Sequence, residues 1–221
     1  MLWLTIERIK MEPFKQSDET LTALKTIKKN DKILAQYISN ELDIKEIFPT
    51  KKESNLAFSK LTEIIIGQQL SGSAADTIYS RFKNTFNLEH NFNAENLMSL
   101  SQLQIRNCGI ANSKAKFILA LRDKIILEND FFDELENYSD TLLELELTKL
   151  KGIGKWTAQI FMMSHYGRLD IFPETDGTLV KAINLMNYND KNLISISDKW
   201  RPYRSIASRI IWNSYDLGLI K

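Results

Sequence analysis

The 221-residue chain has one cysteine, four prolines and two histidines, and each scarcity excludes something. A single thiol, Cys108, cannot build an intrachain disulfide framework or supply the cysteines of an iron–sulfur cluster. It is read as a packing residue, and an intracellular setting fits. The prolines (Pro13, Pro49, Pro173 and Pro202) all stand at expected element boundaries, so the periodic stretches between them run unbroken. No apolar run reaches the ~18 residues of a membrane span. Met1–Lys10 alternates apolar and charged residues and lacks a secretory core. His90 and His165 are far apart and lack metal-ligand spacing. Net charge is only +1, so the chain is not a polycation as a whole.

What is present is helical periodicity. Residues 20–42 read as one or two helices with Leu24, Ile27 and Leu34 inward, followed by a polar connector over 49–55. A helix over 56–68 breaks at Gly67-Gln68-Gln69-Leu70-Ser71-Gly72, and another resumes over 73–86 with Ser73 as its cap. A short helix over 101–107 stops before Gly109, and Ser113 caps the next, over 114–127. Ser139 opens the stretch that leads to residue 150. Residues 176–186 form a further helix capped by Thr175 or Asp176, and Pro202 stands in the first turn of a last helix. With no sustained strand pattern, the class is all-α.

Charge is unevenly spread. Residues 149–221 hold 11 Lys and Arg against 6 Asp and Glu, a net of +5, while residues 1–148 carry a net of −4. A polyanion would meet the basic end, although basic residues also simply solvate helices. Residues 128–146 hold eight acids and no Lys or Arg, and are placed on solvent.

The basic end contains Leu150-Lys151-Gly152-Ile153-Gly154-Lys155-Trp156-Thr157-Ala158. Gly-Ile-Gly permits a sharp turn and close backbone approach. Trp156, Ile160 and Met163 then share one helix face. A glycine turn opening onto a helix offers amide N–H groups and the positive end of the dipole, a seat for phosphate. Taken alone, the same residues more often make a plain helix–helix turn. Asp176, twenty residues beyond Trp156, is either an N-cap or a functional carboxylate.

Five segments in this order resemble one family: Gly67-Gln68-Gln69-Leu70-Ser71, Gly109-Ile110-Ala111-Asn112-Ser113-Lys114, the 150–158 hairpin, Asp170-Ile171-Phe172-Pro173 with Asp176, and Trp200-Arg201-Pro202-Tyr203-Arg204-Ser205. They are similar to the helix-hairpin-helix DNA glycosylases, most closely the alkylation-repair branch, 3-methyladenine DNA glycosylase II. The resemblance implies a two-lobed all-α fold with a DNA-binding cleft between the lobes. One lobe would combine residues 1–55 and 167–221, and the other residues 56–166, in a single catalytic unit over 1–221. The β-rich domain that precedes the catalytic region in larger bacterial members is not expected in the short stretch before residue 56. Bifunctional members place a nucleophilic lysine where Trp156 stands. Lys155 is its neighbour, ~100° around the helix, so no lyase chemistry is implied.

The expected activity is hydrolytic excision of alkylated purines of the 3-methyladenine or 7-methylguanine type from damaged double-stranded DNA. Reaching the base requires flipping it out of the stack. Lys151, Gly152, Ile153, Gly154 and Lys155 would grip the backbone. By resemblance, the carbonyls of Leu150 and Gly152 would hold a structural monovalent cation. No other cofactor is expected. Gln69 and Leu70 would plug the gap, as apolar wedges do elsewhere. Trp156, Trp212 and Gln68 would line the base pocket. An aromatic face attracts a cationic base by ~0.5–2 kcal/mol, although Trp212 also fits a core. Asp176 would be the catalytic group, stabilising positive charge on the opening sugar. Glu174 is placed in solvent, and Arg201 and Arg204 are either structural or phosphate contacts. A monomer without membrane association is expected, in the bacterial nucleoid or the eukaryotic nucleus according to host. Two alternatives stay open, a non-catalytic damage-binding or architectural protein and a glycosylase for deaminated or oxidised bases.

Overall fold

The structure is a computed structural model, and it describes residues 18–38, 47–48 and 50–221. The expectations for Met1–Lys10, Pro13, Pro49, the end of the 20–42 helix and the lack of a preceding β-rich domain fall outside these residues. Among the described residues there are helices and turns and no strand. No helix is long and apolar enough to cross a membrane. The described chain divides into two compact units, one over Lys51–Tyr166 and one joining the residues up to Thr50 with Gly167–Lys221.

The first unit is built around the helix Ala57–Gly67, here α3 after α1 (Asp18–Asn30) and α2 (Lys32–Ala35). Phe58, Leu61, Ile64, Ile65 and Ile66 of α3 are all buried, with Ser59 and Thr62 beside them, so it takes the centre and turns only Lys60 and Glu63 towards solvent. Fully burying each such side chain contributes ~1.5–3 kcal/mol. Three helices pack on it: α4 (Gly72–Phe86), α6 (Asn112–Leu127) and α9 (Lys155–Ser164). Phe82 of α4 and Phe58 of α3 meet Phe92 edge to face. The short helix α5 (Gln102–Asn107) packs on α6. The acidic segment forms α7 (Phe131–Glu136) and α8 (Asp140–Thr148), with Phe131, Phe132, Leu135, Leu143 and Leu147 inward. α8 packs against α9, and this antiparallel pair carries the Gly-Ile-Gly turn.

In the second unit α10 (Gly177–Leu185) packs on α12 (Arg204–Asp216), with α11 (Leu193–Asp198) between them in the chain. Its centre holds a buried carboxylate. Asp31 Oδ2 accepts from Tyr188 O–H at 2.6 Å and Trp200 Nε1 at 2.7 Å. Its Oδ1 accepts from the amides of Ile33 and Leu34. Four donors around one carboxylate remove the penalty of burying it. A second clasp lies at the start of α12. Arg204 donates to both carboxylate oxygens of Asp170, Arg201 donates to Oδ2, and Ser205 N–H donates to Leu169 O. Both arginines hold Asp170, Arg201 from an exposed position, and so anchor the segment that leads to Asp176.

Several helix starts differ from expectation. α4 begins at Gly72 with Ser71 as its N-cap, not Ser73. α6 begins at Asn112 after Ala111, so Ser113 lies inside it. Pro202 precedes α12, which starts at Arg204. In each case the chain turn sets the start one to three residues from the residue with the strongest local preference. Leu24 is half-buried, while Ile27 and Leu34 are fully inside.

Candidate active site

The hairpin turn is shaped by one glycine more than the other. Gly152 has φ +84°, and a Cβ there would lie 2.2 Å from ring atoms of Phe117. Any other residue would be strained in φ and would collide with that ring. Gly154 has φ −89°, caps α9 without a side chain, and would meet nothing within 4 Å if it carried a Cβ. Its small size serves no contact inside the protein. Ile153 is 4% exposed, so its side chain anchors the turn and only its backbone is available to a ligand. Lys151 and Lys155 are exposed beside it, and Trp156 is half-buried in the first turn of α9.

Gln68, expected in the base pocket, is also bonded to the hairpin. Its Nε2 donates to Gly152 O and to Thr157 Oγ1, both at 3.0 Å, tying the end of α3 to the hairpin. This also bears on the implied cation. Gly152 O accepts from Gln68, and Leu150 O accepts from Ile153 N–H. The two carbonyls expected to hold the ion are thus engaged by protein donors. Each carbonyl oxygen has a second lone pair, so one hydrogen bond at each does not exclude the ion that the resemblance implies. Among the described residues, no cluster of His, Cys, Asp and Glu could hold a metal ion.

Gln69 is exposed and has φ +58°. It follows Gln68 at φ −49°, ψ 129°, and Leu70 N–H closes the turn on Gly67 O at 3.1 Å. This is a type II turn with glutamine where glycine or asparagine is usual. Such a conformation costs about 1–3 kcal/mol and persists only where the surroundings impose it. Lys114 is one such constraint, donating to Ile66 O at 2.8 Å and Gln68 O at 2.6 Å. Burial pushes its ammonium below the ordinary lysine range. Lys114 stands in the Gly109–Lys114 segment, whose sequence does not specify its partners. Helix phase says which face is inward, not which carbonyl a lysine will reach.

In the second unit Asp176 is the N-cap of α10, and its Oδ1 accepts from Leu179 N–H at 2.8 Å. The same oxygen accepts from Trp212 Nε1 at 2.9 Å. The capping and functional readings of Asp176 are therefore compatible. The cap fixes the carboxylate, and the indole fixes it again from α12. Trp212 is 4% exposed, so its contribution here is made through the edge bearing the N–H. Asp176 remains half-buried, and Glu174 is half-buried as well, not in solvent. Asp176 and Trp212 are brought together in one unit. Gln68, Gly152 and Thr157 are brought together in the other, which also holds Trp156, Gln69 and Leu70.

Other charged groups prove structural. Arg209 lies within α12, and burial lowers its pKa to about 10. The basic end therefore presents fewer free cations than its composition promised. His90 is exposed. His165 is 2% exposed, stacked on Phe161 at 4.9 Å, with no hydrogen-bond partner for Nδ1. Burial, with nearby Lys60, lowers its pKa to about 4.

One unit thus offers a helical hairpin whose second helix opens at a glycine without a side-chain cap, tied to a strained polar turn, and the other offers an anchored, half-buried carboxylate. Residues 62–202 match the family model of the HhH-GPD superfamily base excision DNA repair proteins, and the chain belongs to that superfamily. It is 28% identical to Bacillus subtilis YfjP over 169 residues, 72% of this chain and 59% of that protein, so it spans somewhat over half the relative's length. The crystal structure of DNA-3-methyladenine glycosidase from Bacillus halodurans superposes with a TM-score of 0.71 at 29% identity, covering 92% of each chain. The fold also matches Schizosaccharomyces pombe 3-methyladenine DNA glycosylase Mag1 in complex with abasic DNA. The TM-score is 0.74 at 21% identity, over 88% of this chain and 97% of that one.

Proposed function

We propose that this protein is a monofunctional DNA glycosylase that flips alkylated purines out of duplex DNA and removes them by hydrolysis, leaving an abasic site. The observation that carries this is Asp176, held at Oδ1 by two N–H donors while remaining half-buried. A carboxylate oriented in this way, at the positive end of α10, suits stabilisation of a sugar that is becoming cationic.

The chemistry follows from the substrate. An alkylated purine such as 7-methylguanine already carries positive charge. When its C1′–N bond breaks, the electron pair neutralises the base, which leaves without needing a proton. The sugar becomes an oxocarbenium ion, which the Asp176 carboxylate stabilises. Water adds to C1′ and loses a proton to bulk solvent or the carboxylate. Trp156 stands where a lyase would need an amine, so no Schiff base forms. The reaction requires no cofactor.

The hairpin supports the grip. Gly154 has nothing within 4 Å of a built Cβ, and the first turn of α9 opens behind it. A phosphate fits such a helix start, with Lys151 and Lys155 adding charge. Exposed Gln69, with Leu70 beside it, serves as the wedge, and Trp156 offers an aromatic face to the cationic base. The protein works as a monomer on damaged double-stranded DNA, in the nucleoid or the nucleus according to host.

Single-turnover base release from duplexes carrying 7-methylguanine, 3-methyladenine, ethenoadenine, hypoxanthine or 8-oxoguanine tests the proposal. Alkylated purines should be released fastest, and Asp176→Asn should abolish release while leaving DNA affinity within about threefold. Preferred release of 8-oxoguanine or hypoxanthine would reassign the substrate class. Tight binding without release from any duplex would make the protein a damage binder.

A further inference from the structure

The turn that presents Gln69 contains a choice that its own residues do not favour. Types I and II differ by a flip of the central peptide, here the one joining Gln68 to Gln69. Type I leaves the second central residue at negative φ, which glutamine prefers. Type II requires positive φ, and Gln69 adopts it at +58°. The flip decides where Gln68 O points, and in the observed form Lys114 Nζ meets that oxygen at 2.6 Å. The same ammonium reaches Ile66 O at 2.8 Å, at the negative end of α3, where a cation is favoured. A type I turn would swing Gln68 O away and break the shorter of these bonds.

We propose that Lys114 is a positioning residue that selects the type II form of the Gly67–Leu70 turn and so aims the exposed Gln69 side chain outward. The proposal rests on the reading above, in which Gln69 enters the gap left by a flipped nucleotide. Lys114 touches neither substrate nor the reacting atoms; it acts through the peptide it holds. Gln68 Nε2, bonded to Gly152 O and Thr157 Oγ1, steadies the other side of the same peptide. The turn and the phosphate-gripping hairpin thereby share one anchor, so a nucleotide gripped by one is in register with the other.

The test is Lys114→Met, which keeps the length of the side chain and removes its donors. A type II turn places the Gln68 Hα close to the Gln69 amide proton, and a type I turn brings the two amide protons together instead. NMR cross-peaks should report the type II pattern in the wild type and the type I pattern in the variant. Single-turnover excision should fall about tenfold while affinity for undamaged duplex stays within about twofold. Because Lys114 acts through Gln69, the double variant with Gln69→Ala should be no slower than Gln69→Ala alone.

A type II pattern persisting in Lys114→Met overturns the proposal, as does wild-type excision after the turn has flipped, or additive losses in the double variant. A wild type that releases no damaged base would sink the functional reading, while the cross-peaks would still decide the role of Lys114 in the turn. Should the methionine variant not fold, Lys114→Gln, whose donor is too short to span both carbonyls, takes its place with the same readouts.

Discussion

Trp212→Phe isolates one hydrogen bond at the proposed catalytic centre. The phenyl ring fills most of the indole's place but lacks the N–H that meets Asp176 Oδ1 at 2.9 Å. A hydrogen bond to a charged group is worth ~1.5–3 kcal/mol. At about 1.4 kcal/mol per tenfold, losing the full value slows base release ~10- to 100-fold. Asp176 keeps its cap on Leu179, so it stays in place but regains freedom to rotate. The smaller ring leaves a cavity costing about 1–2 kcal/mol of stability, tolerable within the usual ~5–15 kcal/mol. The assay is single-turnover release at saturating enzyme, with thermal melting as the fold control. Since the missing group acts on the carboxylate, the loss should be equal for cationic 7-methylguanine and a neutral lesion. A folded variant within twofold of wild type would refute the reasoning. A loss confined to the cationic base would mean that the ring acts on the base directly.

The two hairpin glycines should respond oppositely to alanine. Gly152→Ala meets both a positive φ and the Phe117 ring and should lower the melting temperature by about 5–10 °C, from ~2–3 kcal/mol at ~2–4 °C per kcal/mol; Phe117→Ala in the same chain should recover part of this. Gly154→Ala should leave melting unchanged or slightly raised while weakening binding to undamaged duplex, and unchanged binding would remove Gly154 from the phosphate seat. His165 supplies a pH dependence. Its pKa falls from the ordinary 6.5 to about 4 on folding, so the unfolded chain takes up the proton first. The stabilisation is complete above pH ~6.5 and is lost as pH falls towards about 4, by up to about 3 kcal/mol. Unfolding free energies from urea titration at pH 7 and 4.5 should differ by about 2 kcal/mol less in His165→Phe, which keeps the stack on Phe161, and an unchanged pH response would exclude His165 as the cause.

The helices were legible because apolar residues recur at the helical period. Asp176 was legible as a cap and as a candidate carboxylate because both roles use a short acidic side chain before a helix. Boundaries slipped at Ser73, Ser113 and Pro202, where capping preference is weak against the turn that delivers the chain. Long-range pairings were hidden. Gln68 reaches Gly152 across 84 positions, Trp212 reaches Asp176 across 36, and Lys114 reaches Gln68 across 46. Periodicity reveals which face is inward but carries no information on which element will cover it. The charge asymmetry misled in part, because Arg201, Arg204 and Arg209 turn inward or to Asp170.

The Phe117 ring seated against the Cα of Gly152 makes two distant codons inherit as a pair. A larger residue in the hairpin loses stability that shrinking position 117 restores only in part, because the positive φ at position 152 remains, and shrinking position 117 first opens a void with no gain. Drift should therefore leave both untouched, or change them together, even where their neighbours on the same helices vary freely.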